Sequence, residues 1–276
     1  MKITFVGGGN MASALISGLL KQDFSTEQIG VIEINEEARA RIQATFGITA
    51  LADMTDGLSS DTQNSDSHVI MLAVKPQQLQ ELAQRMKGLL GGQLVISIAA
   101  GIRSSDLIRW LGGYQRVVRA MPNTPSLVGA GVTGLYAAPE VNDQDKRTAE
   151  SIMKSVGTTL WVDDEDMLHT ITAISGSGPA YVFYFIESIQ AAGIKLGLSR
   201  EEARELSLLT FQGAIKLANA GNDDVAALRA RVTSKGGTTE QAIATMDADD
   251  LQNRIIAAVF AANTRSREMS DEFGQQ

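Results

Sequence analysis

Short apolar runs alternate with amphipathic stretches over residues 1–162, and beyond them only helical spacing remains. Residues 3–6 form an apolar run closed by Gly7-Gly8-Gly9, and residues 11–20 then carry apolar side chains at helical intervals, a strand, turn and helix. A second run at 31–34 leads into charged helical residues 36–41. Further runs at 69–74, 94–98 and 117–118 are separated by helix-like stretches at 77–90 and 104–111, and 158–162 reads as the last strand. Strands alternating with helices predict a doubly wound, mainly parallel sheet covered on both faces. The polar second half of 53–67 reads as a solvated surface loop.

From Asp163 onward the helical pattern breaks only at Gly197-Leu198-Ser199, Gly221-Asn222-Asp223 and 234–237, and Ser199 with Glu202 fits an N-cap and capping box. The expected organisation is α/β, with a sheet domain at 1–162 and an all-α domain at 163–276. Residues 174–186 are apolar around nearly the whole helical circumference. A domain of about a hundred residues has little interior for such a helix, so a partner subunit is expected to cover it.

A chain of 276 residues, 44% hydrophobic, can bury a large core in two domains. Its formal charge of −8 lacks the basic field that nucleic acid requires. Cysteine is absent, and His68 and His169 lie far apart, so no metal site is expected. Lys2 followed by apolar residues resembles a secretory leader, but Asn10 and three glycines interrupt it. No uninterrupted apolar run of about 18 residues occurs elsewhere, which predicts a cytoplasmic protein outside the membrane.

Gly7-x-Gly9-x-x-Ala12 follows a strand and opens a helix, the setting in which this pattern binds a dinucleotide. Gly7 permits the tight turn, Gly9 lets a pyrophosphate approach, and the free amides at the positive helix end face the anion. Glu33 ends the second strand, where an acid accepts hydrogen bonds from an adenosine ribose and favours NADH; Asn35 and Arg39 nearby are able to accommodate the 2′-phosphate of NADPH. The alternative for Glu33 is a solvated strand end. Ala73-Val74-Lys75-Pro76 puts a cation at the carboxyl edge of the sheet, to meet a phosphate or ribose or to sit as a loop charge. Ala99-Ala100-Gly101 has small side chains that suit either a flat ring or tight packing. Met121-Pro122-Asn123-Thr124-Pro125 reads as a rigid polar loop able to orient a carboxamide ring, or as a structural proline turn.

These segments, with Ser175-Gly176-Ser177-Gly178-Pro179-Ala180-Tyr181 and Ser234-Lys235-Gly236-Gly237-Thr238-Thr239, resemble pyrroline-5-carboxylate reductase over nearly the whole chain. The resemblance implies reduction of 1-pyrroline-5-carboxylate to L-proline by NADPH or NADH, the last step of proline biosynthesis. It also implies an N-terminal Rossmann domain, a helical dimerisation domain, and dimers or rings of dimers with active sites between subunits. Asn10 and Met11 join the cofactor-binding residues on this basis. Ser234, Gly237 and Thr238 are expected to hold the substrate carboxylate, and the Thr239 hydroxyl to face the ring nitrogen as the catalytic residue. Lys235 stands where many members have proline, and Thr238 where some have alanine. Many relatives also have a shorter segment at 53–67, with an asparagine near the adenosine ribose that has no assignable counterpart here.

Because the imine can arrive protonated, positioning matters more than a strong side-chain acid. Thr239 has an alternative role as N-cap of the helix at 240–246, and the Ser175 segment is suited to nicotinamide contact or to subunit packing. His169 reads as structural, and His68 receives no role. Two rival functions are compatible with the same pattern: a β-hydroxyacid dehydrogenase or imine reductase-like enzyme, and a non-catalytic dinucleotide sensor.

Overall fold

The computed structural model describes residues 1–54 and 68–275. The surface loop expected in the second half of 53–67 lies outside them. The chain forms two compact units, one of Met1–Ser177 with Ala262–Gln276 and one of Gly178–Ala261.

The first unit contains β1 (Lys2–Val6), α1 (Asn10–Leu20), β2 (Ile29–Ile32), α2 (Glu36–Phe46), β3 (His68–Leu72), α3 (Pro76–Met86), β4 (Leu94–Ser97) and α4 (Ser104–Trp110). It continues through β5 (Val117–Met121), β6 (Gly131–Ala137), α5 (Asp143–Lys154), β7 (Gly157–Trp161) and α6 (Met167–Ile171). The sheet order is β2-β1-β3-β4-β5-β6-β7, parallel throughout except for the antiparallel pair β5–β6. Every residue of β3 is buried, as expected of a strand with helices on both faces.

Strand ends differ from the apolar runs. β2 ends at Ile32, two residues before the chain bends at the exposed Ile34, and β3 ends at Leu72, before Ala73 and Val74 lead into Pro76 at the start of α3. The helix there stops at Met86 instead of continuing to residue 90. Sequence reading missed β6. Its Gly134 leaves room for α6, since a Cβ there would lie 2.7 Å from Ile171 Cδ1.

The second unit contains α7 (Gly178–Lys195), α8 (Arg200–Asn219), α9 (Val225–Arg231), α10 (Thr238–Ala248) and the first part of α11 (Leu251–Gly274). The Ser199 and Glu202 capping box forms at the head of α8. Phe183 on α7 is 64% exposed, Tyr184 70% and Phe260 on α11 68%. Such apolar surface on one chain marks a protein interface. No helix among the described residues is long and apolar enough to cross a membrane.

The final turns of α11 pack back on the sheet unit. Phe273 belongs to its hydrophobic core, Met269 and Phe273 cover Gly101, and Arg103 pairs with Asp271.

Candidate functional site

A cleft of about 520 Å³ opens above the carboxyl ends of β1, β2 and β3, where an α/β sheet ordinarily takes its ligand. Gly7, Gly9, Glu33, Asn35, Ala73, Val74 and Lys75 all line it. Gly7 has φ +105°, and a Cβ there would lie 2.7 Å from the Ala73 carbonyl oxygen. Gly9 is the N-cap of α1, uses no side-chain cap, and has no atom within 4 Å of where a Cβ would stand. Asn10 and Met11 begin that helix, and the buried Ala12 follows. Open space before uncapped amides fits a dinucleotide pyrophosphate. Sequence reading did not assign Gln78, Leu82 and Arg85 of α3 to the cleft; as part of an ordinary amphipathic helix they carry no distinguishing signal.

Glu33 braces the turn itself. One carboxylate oxygen accepts the Gly8 amide at 2.7 Å and the other accepts the Asn35 amide at 2.8 Å. The Asn35 side chain caps α2 by accepting the Ala38 amide, while Arg39 donates to the Glu33 and Ile34 carbonyls. These groups after β2 are therefore already engaged with backbone.

Lys75 is exposed and forms the N-cap of α3, with Pro76 at the helix start. Ala99, Ala100 and Gly101 follow β4; Gly101 has φ +75° and lies against Met269 and Phe273. They do not line the β1–β3 cleft, and neither do Met121, Asn123 and Thr124.

Met121 ends β5, and Thr124 begins a short 3₁₀ turn. Asn123 joins this loop to the chain ahead of α7. Its amide nitrogen donates to the Ser175 carbonyl and hydroxyl, both at 3.1 Å, and its oxygen accepts the Val132 amide at 2.9 Å. Ser175 lies in a π-helical turn, Thr172–Gly176, in which the Ser177 amide reaches the Thr172 carbonyl at 2.8 Å. Such wide turns often occur at functional sites.

In the second unit, Ser234, Gly237, Thr238 and Thr239 surround the head of α10. Gly237 is the N-cap, and no side chain caps the helix, so Thr239 is not the cap that sequence allowed as its alternative role. The Gly237 amide donates to the Ser234 carbonyl at 3.0 Å, and the Gly236 amide donates to Glu240 Oε2 at 2.6 Å. Among the described residues, the amides of Thr238 and Thr239 and the hydroxyls of Ser234, Thr238 and Thr239 have no hydrogen-bond partner. Five donors without acceptors at the positive end of a helix suit a carboxylate. Glu240 escaped the sequence reading, although a glutamate three residues after the N-cap is the recognisable half of a capping box.

His169 is buried, and its Nδ1 lies 2.9 Å from the Ser266 hydroxyl. Burial first, then the nearby Arg119 and Arg267 cations, push its pKa down, which keeps the ring neutral. Arg119 pairs with Glu165, which also accepts the Ser104 amide and hydroxyl at 2.6 Å each. His68 is buried against Thr4 at 2.8 Å. Both histidines thus occupy structural settings.

Residues 165–269 match the family described as pyrroline-5-carboxylate reductase dimerisation, and residues 2–101 match the family described as NADP oxidoreductase coenzyme F420-dependent. The pyrroline-5-carboxylate reductase of Pseudomonas aeruginosa is 41% identical over 275 residues, covering 99% of this chain and 98% of its own. A solved pyrroline-5-carboxylate reductase from Coxiella burnetii is similar at a TM-score of 0.88 and 40% identity, over 98% of both chains. The Plasmodium falciparum pyrroline carboxylate reductase with NADP bound gives a TM-score of 0.87 at 30% identity, again over 98% of both chains.

Proposed function

The chain belongs to the pyrroline-5-carboxylate reductase family, and we propose that its loop at Ser234–Thr239 holds the substrate while the cleft above β1–β3 holds the nicotinamide cofactor. The reaction is reduction of 1-pyrroline-5-carboxylate to L-proline with NADPH or NADH, and the chain works as an oligomer through its dimerisation domain. That membership sets aside the hydroxyacid dehydrogenase and cofactor-sensor readings.

The observation that carries the site assignment is the set of unpartnered donors at the head of α10. A planar cyclic imine acid presents one anionic end, and the Ser234 hydroxyl with the amides of Thr238 and Thr239 forms a matching cradle. Gly237 shapes that cradle, its own amide closing the turn on the Ser234 carbonyl. The Thr239 hydroxyl then faces the ring nitrogen, donating as that nitrogen becomes an amine. When bound, the cofactor supplies the hydride that adds to the imine carbon. The open Gly9 position and the uncapped head of α1 fit its pyrophosphate. We assign Asn10, Met11, Lys75 and Pro76 to its phosphates and ribose, and Ala99, Ala100, Gly101, Met121, Asn123 and Thr124 to its nicotinamide half.

We further assign residues 1–162 to cofactor binding and 163–276 to dimerisation and substrate binding. The loop of one subunit is assigned to an active site shared with its partner, in a dimer or a ring of dimers. The exposed Phe183, Tyr184 and Phe260 support this arrangement, since a partner would remove them from water. A cytoplasmic location is part of the same proposal, as is independence of nucleic acid, which the net charge of −8 supports.

The test is Thr239→Ala. Its kcat/KM for the imine is expected to fall roughly ten- to a hundredfold, the worth of one hydrogen bond to a charged group, with thermal stability unchanged. An unchanged rate, or a loss confined to stability, defeats the assignment.

A further inference from the structure

The donors assigned to the substrate carboxylate sit beside a turn whose shape depends on a residue without an assigned role. Residues 234–237 form a β-turn closed by the Gly237 amide on the Ser234 carbonyl at 3.0 Å, with Lys235 second and Gly236 third. Gly236 has φ +75°, and Lys235 is not among the positive-φ residues. That combination is a type II turn, whose third position favours glycine. Type I and type II turns differ by a flip of the central peptide, here the one joining Lys235 to Gly236. The N–H of that peptide is the group that donates to Glu240 Oε2 at 2.6 Å. Glu240 lies in the first turn of α10, so its carboxylate reaches back and holds the peptide by a charge-assisted bond.

We propose that Glu240 is a positioning residue for the substrate-carboxylate loop: its bond to Gly236 fixes the turn in the type II form and keeps the donors at the head of α10 open to an anion. The proposal rests on the assignment of this loop to the substrate. With the peptide held as it is, the Lys235 carbonyl is directed away from Glu240. A flipped peptide would turn that carbonyl toward the first turn of α10, where it would compete with an incoming carboxylate for the same amides. The charge of Glu240 acts in the opposite sense, because a carboxylate beside the loop repels an anion. Bond and charge therefore predict opposite effects of removing the side chain.

Steady-state kinetics of the whole chain, with 1-pyrroline-5-carboxylate and NADPH as probes, separate them. Glu240→Ala is expected to raise the KM for the imine about tenfold, the lower end for one charged hydrogen bond, while kcat and the KM for NADPH stay within twofold. Glu240→Gln still offers an acceptor oxygen and is expected to remain near the parent. Lys235→Pro puts proline before Gly236, a pairing that type II turns favour, and is expected to recover most of the loss when added to Glu240→Ala. An imine KM that is unchanged or lower in Glu240→Ala, while Thr239→Ala still impairs the enzyme, overturns the role of Glu240 and leaves the loop assignment standing. Equal losses in the Ala and Gln variants with no recovery by Lys235→Pro also overturn it. Imine kinetics indifferent to both Glu240→Ala and Thr239→Ala overturn the loop assignment as well.

Discussion

Replacing Asn123 separates the brace that its loop forms from the role proposed for that loop as a guide for the cofactor ring. The side chain is 8% exposed and makes three hydrogen bonds, two to Ser175 at 3.1 Å and one from the Val132 amide at 2.9 Å. Asn123→Ala removes all three. At a net value of about 0.5–1.5 kcal/mol each, the loss is about 1.5–4.5 kcal/mol, which for a unit of this size lowers Tm by roughly 3–18 °C. Asn123→Asp keeps the acceptor for Val132 but turns an oxygen toward the Ser175 carbonyl, so a half-satisfied buried carboxylate is expected to destabilise at least as much. If the loop orients the nicotinamide ring as proposed, its release from Ser175 moves that ring, and a displacement of about 1 Å can cost as much as a hundredfold in rate; kcat is then expected to fall at least tenfold in both variants. Thermal unfolding followed by circular dichroism, with NADPH consumption measured below the melting range, reads both quantities. An alanine variant that melts with the parent and turns over at the parental rate would refute the reasoning.

Gly7→Ala places a Cβ 2.7 Å from the Ala73 carbonyl oxygen at φ +105°. Left-handed strain of about 1–2 kcal/mol and overpacking of about 1–3 kcal/mol are relieved by displacing the turn, which moves the amides before α1 away from the anion; the dissociation constant for NADPH is expected to rise at least tenfold, as measured by cofactor fluorescence, and unchanged affinity would count against the cleft. The depressed pKa of His169 means that the unfolded chain takes up this proton first. Its contribution to stability is thus full above about pH 6.5 and is lost as pH falls; His169→Gln should flatten Tm against pH in that window, and an unaltered slope would exclude the ring as the cause. Arg116 grips Asp145 through two bonds of 2.7 Å, and the Asp145 side chain is 4% exposed. Arg116→Met is expected to cost about 3–5 kcal/mol in urea unfolding, with Arg116→Met/Asp145→Leu recovering most of it; a loss below about 1 kcal/mol would place the pair among surface-type bridges.

The alternating half was legible because β1, β3 and β4 are short apolar runs buried on both faces, and such runs need no tertiary information to be recognised. β6 was not legible, because Gly-Val-Thr-Gly-Leu-Tyr-Ala has two glycines and no continuous apolar run, and its antiparallel pairing is set by β5. The helical breaks were legible through Gly and Ser at 197–199, and the excess apolar surface of α7 already pointed to a partner. The glycine turn was equally visible. Its brace was not, because Glu33 meets the Gly8 amide across 25 positions of sequence. Likewise the bonds of Asn123 to Ser175, 52 positions away, were not legible, because they exist only once the sheet and the π turn have come together.

The sheet unit is built from two stretches of chain separated by the whole helical insert. A nascent polypeptide that has emerged through Ser177 still lacks Met269 and Phe273 over Gly101 and Ser266 beside His169. Its cofactor half therefore leaves the ribosome incomplete and closes only after the insert has been translated, so pulse-labelled chains halted before residue 262 should show protease-sensitive sheet domains that ribosome-associated chaperones would recognise.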